Sequence, residues 1–218
     1  ERGVIKKEMA RADSNVPRQI YQKVQSLFYQ DSPYRYPVIG YKHHFNAITS
    51  ASLKHYYDIQ YVPENMVIVV GGDISRNVII NFIEETFGKE PYRPRKPQYK
   101  GGEQRILSKS KVAIVLPELK TKRLMLRYPT VSFYNNDVYP LDLLAYILGN
   151  GQQSVLYQEF VVRRKLATKV SVRSITPSNE YGYFEIFLET NQPSEDVVNA
   201  VQSFIETLKV MGFNKQQI

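Results

Sequence analysis

The feature that most constrains this chain lies near its middle. Pro91, Pro94, Pro97, Gly101 and Gly102 fall among lysines and arginines within residues 89–102. Proline fixes φ, lacks an amide donor and disfavours helix at the residue before it. Glycine adds backbone freedom, so neither a helix nor a paired central strand runs through such a stretch. The 218 residues are therefore read as two pieces, 1–90 and 104–218, joined by a linker at 91–103. Each piece is long enough to form a core.

Both pieces mix the two hydrophobic periods. Residues 1–13 read as a helix with Val4, Ile5 and Met9 on an apolar stripe. Asn15 and Pro17 suit the cap and first turn of a second helix that reaches about Phe28. Two prolines make 31–37 a loop, and Thr49 can cap a third helix to about Ile59. The apolar run 65–72, with three valines and an isoleucine, predicts a buried strand. Ser75 opens a further helix that Gly88 stops. Beyond the linker, 111–117 and 123–130 predict strands, and 136–148 predicts a helix ended by Gly149-Asn150-Gly151. A helix at 154–165 follows, then a hairpin of 168–176 and 181–190 around Pro177-Ser178-Asn179. Phe184, Ile186 and Leu188 share one face of its second strand. Phe82-Ile83-Glu84-Glu85-Thr86 and Phe204-Ile205-Glu206-Thr207 each follow a strand and a serine, an internal echo. The fold class expected is α+β, with two related half-domains, each a mainly antiparallel sheet covered by helices, the first incomplete at its N-terminus.

Composition removes several classes of function. The chain has no cysteine, so disulfides and thiolate metal sites are excluded, and periplasmic, secreted, cytoplasmic and organellar settings all remain compatible. No apolar run reaches the roughly 18 residues of a membrane-spanning helix. The net charge of +8 comes from scattered residues with short clusters at 109–111, 120–123 and 163–165. No aromatic-basic sheet signature or helix-turn-helix pattern accompanies it, so specific nucleic-acid binding is not expected. A phosphate-binding glycine loop and a nucleophile elbow are also missing. His43, His44 and His55 have no i, i+4 pair, and the adjacent two are expected to diverge. Glu1-Arg2-Gly3-Val4-Ile5 reads as the inside of a helix, and neither end carries a signal or stop, so a piece of a longer polypeptide is expected.

Glu1 and Glu8 are the remaining candidates. Seven residues apart on a helix, they share a face but stand about 10 Å apart along it. One could ligate an ion while the other supports the site from outside its inner shell.

The order Glu1–Glu8, Pro33-Tyr34, Pro37-Val38-Ile39-Gly40, Tyr56-Tyr57, Pro63, Asn65-Met66 and Gly71-Gly72-Asp73 resembles the inverted-zincin metallopeptidases, the pitrilysin, insulinase and mitochondrial processing peptidase-like family. So do Tyr139-Pro140-Leu141-Asp142, Ile147-Leu148-Gly149 and the run from Gly151 to Tyr157. In that family an H-x-x-E-H helix supplies two histidine ligands and a glutamate base, and a later glutamate completes the zinc site. The resemblance implies that Glu8 is this metal ligand and Glu1 a supporting acid, catalytic only from the second shell. It implies zinc-assisted peptide hydrolysis in a full-length parent, with the H-x-x-E-H helix upstream of residue 1. The isolated chain is then expected to be inactive and to bind no zinc. A peptide or unfolded polypeptide substrate and a second homologous domain or subunit follow from the same resemblance. Val155 stands where the family often has an arginine, so that residue's role does not carry over. The alternative is a non-catalytic family member that binds or scaffolds an active peptidase.

Overall fold

A computed structural model describes residues 1–89, 121–178 and 180–213. The linker 91–103, the strand expected at 111–117, the basic cluster 109–111 and Asn179 lie outside the described residues. Two compact units are present. Glu1–Tyr29 with Pro33–Tyr99 form the first, and Gln30–Ser32 with Lys100–Ile218 the second.

The described part of the first unit is helical. α1 (Arg2–Asp13) buries Met9 and Ala12, while Val4 of the expected stripe is exposed. Asn15 caps α2 (Val16–Phe28) by accepting from the Arg18 amide at 3.0 Å, with proline in the first turn. Such a cap stabilises by about 1 kcal/mol. α3 (Lys42–Ala47) is short, and α4 (Ser50–Gln60) begins with a capping box between Thr49 and Ser52. α5 (Arg76–Phe87) runs from Ser75 to Gly88.

Among the described residues, the buried strand expected at 65–72 forms no ladder. Met66 near its start is extended, and Val67 and Val69 are 90% and 89% exposed. A continuous apolar run becomes a buried strand only when neighbouring strands take up its amides and carbonyls. The described residues supply no such neighbour.

The second unit holds all three described strands. β1 (Lys122–Thr130), β2 (Lys169–Ile175) and β3 (Gly182–Thr190) form an antiparallel sheet in the order β1-β3-β2. Leu124 pairs with Leu188, Leu126 with Ile186 and Val172 with Ile186. This face meets α6 (Val138–Gly149) and Leu156, Phe160, Val197 and Val201 in one core, and Leu188, Val197 and Val201 are fully buried. α8 (Ser194–Met211) carries the last two of these. Among the described residues the echo stops at the ladder, since β3 is a paired central strand and 66–70 has no partner there.

The helix expected at 154–165 is shorter and wound differently. α7 (Val155–Tyr157) is one turn and continues as a π-helix over Gln158–Arg163. Buried Glu159 explains the widened turn: its carboxylate accepts from Arg163 at 2.5 Å and from Arg164 at 2.6 Å. Lys165 then takes φ +54°, and the Leu166 and Ala167 amides both donate to the Phe160 carbonyl.

The opposite sheet face carries charge in rungs. Glu185, fully buried at the centre of β3, accepts from Arg127 of β1 at 2.6 Å and from Arg173 of β2. Arg127 also lies 4.0 Å from the centroid of the Tyr183 ring. Four residues on, Glu189 pairs with Arg123 at 3.1 Å and stands opposite Lys169.

Candidate metal-ligand helix

α1 carries both candidate carboxylates. Glu1 is its N-cap rather than part of its first turn: its carbonyl accepts from the Val4 and Ile5 amides, and its side chain makes no cap bond. Glu8 stands in mid-helix, exposed, directly before buried Met9. Among the described residues, neither carboxylate has a hydrogen bond or ion pair. A charged acid left so is chemically fit to take a cation as an oxygen donor. The donor set is incomplete, however: no three histidine, aspartate or glutamate side chains gather into a metal-binding group among the described residues.

The histidines do not join Glu8. His43 and His44 are exposed on α3, and His55 is exposed on α4. The expectation that the adjacent pair diverges is corrected: their ring centroids are 4.1 Å apart, with His43 stacked on Tyr41 at 5.7 Å. The short helix and the neighbouring tyrosine draw the two rings together.

Arg2 was not singled out by sequence reasoning. Its Nη2 donates to the Asn46 carbonyl at 2.6 Å and to the Phe45 carbonyl at 3.4 Å, and its guanidinium sits 5.7 Å from the Phe45 ring centroid. The residue therefore ties the start of α1 to the end of α3. The only hint in the sequence was its place beside Glu1 in the glutamate-flanked segment. In the second unit, partial burial raises the Tyr128 hydroxyl above its ordinary value of 10.0, opposed by the Lys209 ammonium. No helix among the described residues is long and apolar enough to cross a membrane.

Comparison with solved structures defines the fold class. The chain superposes on a peptidase M16 inactive domain from Pseudomonas fluorescens with a TM-score of 0.81 and 22% identity, over 99% of this chain and 52% of that one. It matches a protease from Helicobacter pylori with a TM-score of 0.75 and 20% identity, over 99% and 53% of the two chains. The architecture is thus that of the M16-like peptidases, a mixture of helices and antiparallel sheet. A sequence model described as the peptidase M16 inactive domain matches residues 47–218, and the chain belongs to the M16 peptidase family.

Relatives include an uncharacterised zinc protease of Mycobacterium tuberculosis (strain ATCC 25618 / H37Rv), 24% identical over 96% of this chain and 46% of its own length. The mitochondrial-processing peptidase subunit beta of Blastocladiella emersonii is 22% identical over 88% of this chain and 42% of its own. The chain spans about half the length of the curated relatives it matches. α1 precedes the segment matched as the inactive domain.

Proposed function

We propose that this chain is part of a zinc-dependent metalloendopeptidase that hydrolyses peptides, and that it contributes one zinc ligand, Glu8. Residues 1–90 are the C-terminal part of the first half-domain, 91–103 the linker, and 104–218 the second half-domain. The observation that carries this reading is the mid-helix carboxylate of Glu8, without a partner among the described residues, on a helix that precedes the matched inactive domain. The naming of several relatives as zinc proteases supports it.

Glu8 supplies an anionic oxygen that partly neutralises a bound dication, and it must be ionised to do so. Glu1, at the helix N-cap, is the supporting acid outside the inner shell. The two imidazoles and the general base come from outside this chain. Zinc held there would supply an acidified water and a polarised scissile carbonyl. The substrate is a peptide or unfolded polypeptide, enclosed with the help of a second homologous domain or subunit.

A second reading, a non-catalytic member that partners an active peptidase, draws on the description of the matched segment as an inactive domain. Mutation of the full-length protein separates the two. Glu8→Gln keeps shape but removes the ligating charge, so zinc content and peptide hydrolysis fall together. Glu1→Gln lowers affinity or turnover about 10–100-fold and leaves zinc bound at saturating metal. If neither change alters zinc content, α1 is not part of a metal site and the second reading stands.

A further inference from the structure

We propose that Arg2 is a positioning residue for Glu8: by clamping the start of α1 to the end of α3, it fixes the rotation of the helix that presents the ligand. The inference rests on the assignment of Glu8 to zinc. Its physical basis is the end of α3. The last carbonyls of a helix have no intrahelical donor, and a cation there also meets the negative end of the helix dipole. One guanidinium reaches both the Asn46 and Phe45 carbonyls and lies over the Phe45 ring. Both carbonyl contacts come from the one nitrogen Nη2, while the planar guanidinium lies over the Phe45 ring, a combination that a lysine ammonium reproduces only in part.

The lever follows from helix geometry. Arg2 and Glu8 are six residues apart, about 9 Å along the axis and roughly 120° around it. Buried Met9 lies about 20° from the direction of Arg2, and buried Ala12 about 40° from that of Glu8. The helix is therefore fixed by packing along its second half and by Arg2 at its first residue. Without Arg2 the N-terminal half is held by half-buried Ile5 alone among its first seven residues. A side-chain tip stands about 5–6 Å from the axis, so a rotation of roughly 10° carries a carboxylate about 1 Å. A functional constellation tolerates about 0.5 Å.

The test uses the full-length protein with Arg2→Ala, Arg2→Lys and Glu8→Gln, reading zinc affinity by competition with a chromophoric chelator. The melting temperature and α1 amide exchange of the zinc-free protein are measured beside it. Arg2→Ala is expected to weaken zinc about 10–100-fold, the range for outer-shell partners. It should also speed α1 exchange and leave the zinc-free melting temperature within 1–2 °C, roughly the effect of a surface substitution. Arg2→Lys recovers part of the affinity. If Glu8→Gln loses zinc while Arg2→Ala binds as tightly as wild type, the role of Arg2 is overturned and that of Glu8 survives. If Glu8→Gln binds zinc normally, both assignments fall. A loss of affinity accompanied by unfolding of the zinc-free Arg2→Ala protein makes Arg2 a fold residue and also overturns the proposal.

Discussion

Gly149→Ala tests how closely α6 lies on the sheet. A Cβ at this buried position would stand 2.3 Å from the Val172 nitrogen, 2.4 Å from its Cγ2 and 2.5 Å from its Cβ. These are about 1 Å inside ordinary contact, and one of the atoms is backbone of a paired strand. The last turn of α6 has to lift by about that distance, which strains the seats of Ala145 and Leu148 in the same core. Overpacking of this kind costs about 1–3 kcal/mol, and backbone involvement puts it near the upper end. The better helix propensity of alanine returns about 1 kcal/mol. The net expectation is a loss of about 2 kcal/mol and roughly 4–8 °C in Tm. The assay is urea unfolding of the 218-residue chain, with the midpoint shifted and the slope unchanged. Adding Val172→Ala removes only the Cγ2 contact, so the cycle should show a coupling of about 0.5–1 kcal/mol rather than full rescue. The same substitution at Gly3, in α1 with open space around it, should stabilise by up to about 1 kcal/mol. A Gly149→Ala protein as stable as wild type refutes the close seating of α6 on β2.

Two further outcomes rest on the second unit. Glu185→Gln removes the anion between Arg127 and Arg173, and breaking a buried pair typically costs about 3–5 kcal/mol; a urea midpoint within error of wild type would show that this carboxylate is not needed to hold the sheet. Lys165→Gly relieves a left-handed residue at a cost of about 1–2 kcal/mol while adding about 0.4–1 kcal/mol of unfolded-state entropy. Thermal melts should therefore show no loss, whereas Lys165→Val should be clearly destabilised.

The helices and the hairpin were legible because their signals are local. Asn15 and Thr49 cap where their chemistry predicts, and the alternation in β3 assigns Phe184, Ile186 and Leu188 to the core. Features that depend on distant partners were not. Whether 65–72 pairs is decided by strands elsewhere in space, and its composition alone carries no information about them. The π turn over Gln158–Arg163 depends on how a buried Glu159 recruits two successive arginines, which apolar periodicity does not register. At the candidate site, Glu1 and Glu8 stood out by spacing and family likeness. The role of Arg2 required knowing that residues 45 and 46 return to meet it.

The charged rungs on the sheet bear on how the chain finds its pairing at all. On the core face β1, β2 and β3 offer Leu, Val, Ile and Phe in succession, so sliding one strand by two residues would still bury apolar groups against apolar groups. The other face forbids that economy of errors. A two-residue shift of β1 in either direction places Arg127 opposite Tyr183 or Phe187 and strands Glu185 against Met125 or Pro129. The same shift of β2 parts Arg173 from Glu185 and Lys169 from Glu189. A slipped β1 would leave buried Glu185 without Arg127, and a slipped β2 would part it from Arg173, costs that the true alignment avoids. Four cations and two acids thus add a register check to an otherwise degenerate hydrophobic code and make two-residue slips of the sheet costly.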